Sequence, residues 1–277
     1  MITPAGRRRP ATRLLVSTRP VVGVIATVLV SWGFCHDAFA RARDWMDLRR
    51  GGAPAIIASA RQESALKPWS ATYRTKLEAG HPLAPKVPGE LTLTVARSPS
   101  APAALGGTML VLFRAPASLA GVGLVVQGGK AWLRLPGGKA VAATPKLLAQ
   151  PLPGLDVPLI AFAPLEIAAL HSAELEGEFE DTAMLRLKPE YTSGPDVPVM
   201  KAGVSKRWGV WTLGEVDDHK GQMLGLIEWL ELSERQGQVV PAVLRLQPKS
   251  GNRAAVTLQL VTVDVGKVFA FSPKSLK

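Results

Sequence analysis

The chain has 277 residues, of which 47% are hydrophobic and 20% are charged, and its formal net charge is +11. This composition is ordinary for a globular protein and excludes wholesale disorder. The length allows one large domain or two small ones.

Residues 1–40 have the three parts of a secretory signal peptide. Five arginines and no acidic residue lie in residues 1–20, an apolar run follows at 21–34, and Ala38-Phe39-Ala40 supplies a small-residue cleavage site. The apolar run is shorter than the roughly 20 residues that a spanning helix needs. We therefore predict export and cleavage after Ala40, and an uncleaved inner-membrane anchor through residues 21–34 is the alternative.

Residues 41–88 are predicted to form an N-terminal helical and extended segment. Residues 54–66 have the pattern of a short helix, because Pro54 opens it and Ile56, Ile57 and Ala60 share one face. The Pro-rich stretch at 81–88 indicates a linker. A β-rich domain is predicted from 89 to 277.

The stretch from Phe113 to Pro136 predicts a β-hairpin with a turn at Gly128-Gly129. Leu124, Val125 and Val126 are consecutive, so both faces of this hairpin are apolar. A hairpin that faces water on one side would alternate apolar and polar residues. Both faces must therefore be covered, or one of them must line an apolar cavity.

Residues 136–172 interrupt the β pattern and are predicted as a lid insert. The stretch 151–164 is apolar and contains four prolines, so it can be neither a regular helix nor a central strand. Two interpretations stay open: a lid or binding loop, and a buried connection packed on the core.

Further strands are predicted at 89–97, where Leu91, Leu93 and Val95 alternate, and at 107–113, 173–180, 183–188, 207–216, 239–246 and 254–265. Residues 222–232 fit a helix or a strand, and the β-rich context favours a strand. The count is about nine strands with mostly local connections, which predicts an antiparallel sheet.

We find no motif in the sequence that indicates a catalytic site. Ser64–Lys67 matches S-x-x-K but lacks the companion motifs of penicillin-recognising enzymes. His81, His171 and His219 are far apart and are predicted to be surface residues. The alternating glutamates from 174 to 180 predict one solvated strand face. We predict no catalytic residue, no metal, no cofactor and no nucleic-acid partner.

Several motifs resemble the LolA-like family of outer-membrane lipoprotein-sorting proteins. They are Phe113-x-x-Pro116, Gly121, Leu124, Trp132-Leu133-x-Leu135-Pro136, Gly154-Leu155-Asp156, Gly177, Leu185-x-Leu187-x-Pro189, Thr257-Leu258-x-Leu260, Val263 and Phe269-x-Phe271-x-Pro273. The resemblance covers about residues 89–277. In place of the family's Gly-Ser-Asp segment the chain has Leu155 at the middle position.

The resemblance implies a mostly β, α+β fold: an antiparallel curved sheet, or incomplete β-barrel, with a few short helices forming a lid. It also implies an apolar cavity that carries lipid or lipoprotein acyl chains across the periplasm. The candidate cavity residues are Leu112, Phe113, Val125, Trp132, Trp211 and Leu258.

We therefore predict an exported periplasmic carrier or sorting factor without enzymatic activity. Its expected partners are acyl chains of lipids or lipoproteins, together with an inner-membrane transporter or export complex. The alternative is a non-enzymatic accessory or structural protein of an envelope complex, in which the apolar faces would be filled core or a partner interface.

Overall fold

The computed structural model describes residues 45–99, 107–166, 171–189, 198–249 and 254–267. Outside the described residues lie the predicted signal peptide, the alternative anchor at 21–34 and the motif at 269–273. The domain boundaries at 40 and 88 stay predictions.

Helices make up a small part of the described structure. Residues 45–50 are helical, α1 spans Gly52–Glu63, α2 spans Pro145–Leu148, and a 3-10 helix spans Leu159–Phe162. The helix α1 buries Ala53, Ile56, Ile57 and Ala60, which recur at the spacing of one helical face. The short helix predicted at 54–66 is confirmed.

Thirteen strands are present within the described residues. They are β1 Trp69–Leu77, β2 Gly89–Ser98, β3 Thr108–Ala115, β4 Gly123–Gln127, β5 Lys130–Arg134, β6 Val141–Ala142, β7 His171–Glu178, β8 Thr182–Pro189, β9 Val199–Ser205, β10 Trp211–Asp217, β11 Met223–Arg235, β12 Gln238–Pro248 and β13 Val256–Val265.

All of these strands join one antiparallel sheet, which is curved and unclosed. The first six strands run from the centre of the sheet to one edge, at β6. The chain then crosses to the opposite edge and returns as β7 to β13, so that β13 pairs with β1. The predicted fold class, a mostly β antiparallel curved sheet with a few short helices, is confirmed.

The hairpin of β4 and β5 is formed as predicted. Gly128 and Gly129 both have left-handed backbones, with φ of 56° and 73°. This is the conformation that a two-residue turn needs to match the strand twist, and glycine adopts it without a steric penalty.

Three strands, β1, β6 and β9, were not predicted from the sequence, which indicated about nine strands in total. β1 lies inside the segment predicted as helical and extended, although it pairs with both β2 and β13 at the centre of the sheet. β6 has only two residues, and β9 contains Lys201 and Gly203, which weaken an apolar pattern. The ambiguous stretch at 222–232 is a strand, as the context favoured.

The main core lies on one face of the sheet, which we call the inner face. Alternate residues of the strands point into it, for example Leu91, Leu93 and Val95 of β2 and Leu124 and Val126 of β4. The core also includes α1 and much of the connection between β6 and β7. This connection, rather than a second sheet, covers the inner face.

Candidate functional site

Residues 151–166, which we call the crossing segment, lie against the inner face. The side chains of Leu155, Val157, Ile160 and Phe162 are buried there. The rings of Phe162 and Phe113 meet edge to face, with centroids 6.5 Å apart. In this conformation the proline-broken stretch is a buried connection packed on the core, which is one of the two interpretations that the sequence left open.

Two glycines allow the crossing segment to approach the sheet. A Cβ atom on Gly214 of β10 would lie 2.1 Å from the backbone oxygen of Ala161. A Cβ atom on Gly225 of β11 would lie 2.6 Å from Cδ of Pro158. Both distances are far below van der Waals contact, so these positions accept only glycine while the segment stays seated.

An apolar cleft of about 150 Å³ lies between the end of β5, the helix α2 and the start of the crossing segment. Leu133, Leu147, Leu152 and Leu159 lie around it, together with the half-exposed Leu135. The cleft connects the surface near the β4–β5 hairpin with the buried side chains of the crossing segment.

An ion pair between Arg97 and Glu166 connects the end of the crossing segment to the sheet. Arg97 stands at an inner-face position of β2, and its guanidinium contacts the carboxylate of Glu166. Both side chains are almost completely buried, at 3% and 2% exposure. Next to them, Arg61 of α1 donates hydrogen bonds from Nε and Nη2 to the backbone oxygen of Leu165, with an Nε–O distance of 2.7 Å.

Tryptophans surround this ion pair. The guanidinium carbon of Arg97 lies 5.8 Å from the ring centroid of Trp211 and 5.7 Å from that of Trp229. The two indoles contact each other at 4.2 Å, and Trp229 also meets Trp69 edge to face at 5.9 Å. Aromatic faces attract a cation, so they compensate part of its lost hydration.

Burial has a clear electrostatic effect on Arg97. Loss of hydration, with a smaller repulsion from Arg61, lowers the pKa of Arg97 to about 9. Burial likewise lowers the pKa of Arg61. At neutral pH Arg97 is still a cation, and Glu166 balances its charge.

The six predicted cavity residues fall on opposite faces of the sheet. Phe113, Trp211 and Leu258 belong to the main core of the inner face. Leu112, Val125 and Trp132 form a small cluster on the outer face with Leu110 and Ala140. Leu112 and Phe113 are neighbours on β3, so a strand must point them to opposite faces.

This division explains why the β4–β5 hairpin is apolar on both sides. Leu124 and Val126 point into the main core, whereas Val125 pairs across the strands with Trp132 in the outer cluster. None of the six predicted residues lines the apolar cleft. Whether any of them contacts a ligand stays a prediction.

The site residues Arg97 and Glu166 were not predicted from the sequence, although one signal in the sequence indicates Arg97. Leu91, Leu93 and Val95 alternate on β2, and Arg97 occupies the next inward position of the same pattern. A charged residue there must be buried and needs a partner. Nothing in the local sequence identifies that partner as Glu166.

The histidine and glutamate predictions had different outcomes. His171 is buried and its Nε2 lies 3.0 Å from the backbone oxygen of Pro198, so the prediction of a surface histidine was wrong for this residue. The exposed glutamates of β7 face the basic residues of β8, with Glu174 2.6 Å from Lys188. The solvated face predicted for β7 is confirmed.

The residues with described positions contain no group of three or more His, Cys, Asp or Glu side chains that could hold a metal ion. No helix among them is long and apolar enough to cross a bilayer.

Comparisons with known proteins place the fold. No protein-family model matches the chain, and no curated protein matches it. Among solved structures, it is similar to a putative outer membrane lipoprotein-sorting protein domain from Vibrio parahaemolyticus, with a TM-score of 0.58 and 15% identity over 82% of this chain and 98% of the other.

Two more solved structures are similar over comparable lengths. One is a DUF1329 family protein from Desulfovibrio piger, with a TM-score of 0.57 and 12% identity over 85% of this chain and 99% of the other. Another is a LolA superfamily protein from Nitrosomonas europaea, with a TM-score of 0.51 and 14% identity over 82% and 97%. These likenesses concern the fold alone, and they show that the chain has a LolA-like fold.

Proposed function

We propose that this protein is an exported periplasmic carrier that binds lipid or lipoprotein acyl chains between the crossing segment and the inner face. One observation carries the proposal. The apolar inner face is covered by an irregular, proline-broken segment that shares no described backbone hydrogen bond with a strand, so its separation would break no strand pairing. The likeness to a putative lipoprotein-sorting domain supports the same class of function.

The hydrogen bonds of the crossing segment support this separation. Its described backbone-to-backbone hydrogen bonds stay within the segment, such as Ala161 to Pro158 and Ala163 to Ile160. Side-chain packing and the contacts of Arg61 and Arg97 hold it to the rest of the molecule. Lifting residues 157–165 would therefore cost apolar contacts and the hydrogen bonds from Arg61 to Leu165, and an alkyl chain entering their place would restore the apolar contacts.

The apolar cleft beside β5 supplies the opening for such a chain. Apart from Gln150, its lining residues are leucines and prolines, whose side chains are apolar. An alkyl chain that enters there removes its own surface and the half-exposed Leu135 from water. Burial of apolar surface supplies the binding free energy, at roughly 25 cal/mol per Å².

The second candidate function is a non-enzymatic accessory protein of an envelope complex. One observation favours it: the inner face is filled, and Phe162 is only 2% exposed. In that case the crossing segment would be permanent core, and the protein would act through its surface.

Lipid binding separates the two functions. The full chain is expressed in a bacterial host, and the exported form is purified, extracted with organic solvent and analysed for lipid by mass spectrometry. In parallel, displacement of a fluorescent fatty-acid probe is measured. A carrier yields co-purified lipid and saturable displacement, whereas absence of both results contradicts the proposal and favours the accessory function.

A matched pair of variants shows whether the probe uses the cleft. Leu135→Glu places a charge at the opening, and Val261→Glu places the same charge on β13, five strands away from β5 in the sheet. Leu135 is 38% exposed and Val261 is 48% exposed, so neither change buries a charge in the core. We expect Leu135→Glu to weaken probe binding about tenfold and Val261→Glu to leave it unchanged.

A further inference from the structure

Four buried polar atoms around the Arg97–Glu166 ion pair have no hydrogen-bond partner among the described residues. They are Nη1 of Arg97, Oε2 of Glu166 and the Nε1 atoms of Trp211 and Trp229. Buried polar groups are nearly always paired, because an unpaired one loses its hydration without compensation. Four such atoms in one place indicate a polar binding site.

These atoms belong to side chains that contact one another. Arg97 is paired with Glu166, and its guanidinium carbon lies within 6 Å of both indole centroids. The ring centroids of Trp211 and Trp229 are 4.2 Å apart. Glu166 is the last residue of the crossing segment, and its contact with Arg97 puts the cluster next to the stretch that a bound chain would replace.

The chemistry of the four atoms selects the ligand. Three of them are hydrogen-bond donors, and only Oε2 of Glu166 is an acceptor. The positive charge of Arg97 is already balanced by Glu166, so the site does not demand an anion. A compact acceptor without a full negative charge suits it, and on an apolar ligand the carbonyl oxygen of an acyl group is such an acceptor.

We propose that the Arg97–Trp211–Trp229 donor cluster binds the carbonyl oxygen of an acyl group. The inference rests on the proposed carrier function and specifies its substrate class: acyl chains with an ester, amide or carboxyl group, as opposed to plain alkyl chains. An amide also offers an N–H that Oε2 of Glu166 accepts. The alkyl part of the ligand lies against the inner face, and its carbonyl group lies at the donor cluster.

The test compares ligands of matched length. Dissociation constants are measured by displacement of the fluorescent fatty-acid probe for methyl dodecanoate, N-methyldodecanamide, dodecanoate and dodecyl methyl ether. The ether lacks the carbonyl oxygen. We expect the three carbonyl ligands to bind at least about tenfold more tightly than the ether, and their order distinguishes ester, amide and free-acid sources.

Tryptophan variants assign the preference to this cluster. Trp211→Phe and Trp229→Phe each remove one N–H and keep an aromatic ring. Trp69→Phe is the matched control, because the Nε1 of Trp69 already donates to the backbone oxygen of Ser64 at 3.0 Å. We expect each of the first two variants to reduce the ratio of ester affinity to ether affinity by about threefold to tenfold, and the control to leave this ratio unchanged.

The ratio of ester affinity to ether affinity distinguishes a failure of the carbonyl site from a failure of the proposed carrier function. If the ether binds the wild-type protein as tightly as the ester, the carbonyl site is overturned and the carrier function stands. The same holds if all three tryptophan variants change the ratio equally. If no ligand displaces the probe or binds at all, the carrier function itself fails and the carbonyl site fails with it.

Discussion

Replacing Gly214 by alanine tests whether the crossing segment is seated on the sheet as described. The new Cβ would lie 2.1 Å from the backbone oxygen of Ala161. A carbon and a carbonyl oxygen approach each other to about 3.3 Å at closest. The crossing segment must therefore retreat by roughly 1 Å, and a backbone atom cannot move away as the end of a flexible side chain can.

This retreat has a measurable cost. Overpacking a well-packed core typically costs about 1–3 kcal/mol, and the loss of contacts around Phe162 places Gly214→Ala in the upper part of that range. For a chain of this size we expect the melting temperature to fall by about 5–10 °C. Because the segment is loosened, the affinity for a fluorescent fatty-acid probe should rise while stability falls.

Urea unfolding and probe titration of the same preparations measure both effects. Gly177→Ala on β7 is the matched control, since a Cβ there meets nothing within 4 Å and the backbone is not left-handed. We expect the control to stay within about 0.5 kcal/mol of the wild type or to be slightly more stable. If Gly214→Ala unfolds and binds like the control, the described docking of the crossing segment is refuted.

Three further predictions concern charge and packing. Arg97→Met should lower the free energy of unfolding by about 3–5 kcal/mol in urea, because Glu166 is left as a buried charge, and adding Glu166→Leu should restore most of the loss; equal losses in both variants would contradict this. Burial, with repulsion from a neighbouring glutamate, raises the pKa of Asp217 to about 6 although Lys201 opposes the shift. Its stabilising effect is therefore present below about pH 4 and lost as the pH rises through 6, so Asp217→Asn should gain roughly 1–3 kcal/mol relative to wild type between pH 4 and pH 7.5. A pH-independent difference in urea unfolding would exclude that assignment. Trp132→Ala should cost about 1–3 kcal/mol in the outer cluster and leave probe affinity unchanged, and a loss of affinity would place the ligand on the outer face.

Much of the sheet could be predicted because its signals are local. The turn at Gly128-Gly129 and the apolar alternation of β2 are each contained in a few consecutive residues, so each predicts a strand without distant information. β1 also alternates, with Trp69, Ala71 and Tyr73 buried. Its Ser, Thr and Arg residues and its position before a Pro-rich stretch concealed the pattern.

The site depends on residues that are distant in the chain. The prolines of the crossing segment exclude it from the sheet. Its close approach to the sheet depends on Gly214 and Gly225, and nothing in the sequence marks these two glycines as contact positions. The pairing of Arg97 with Glu166 likewise joins β2 to the end of the segment. The face of each predicted cavity residue depends on strand register, and a shift of one residue exchanges the two faces.

Hydrogen–deuterium exchange of the crossing segment tests the central claim most directly. In the proposed carrier, an acyl chain binds the inner face by displacing residues 157–165, whose described backbone hydrogen bonds stay within the segment. Loading the protein with a dodecanoyl lipid should therefore increase deuterium uptake in peptides covering this stretch severalfold, while uptake in β10 and β11 stays the same or decreases. Unchanged or reduced uptake in residues 157–165 of the loaded protein would contradict it.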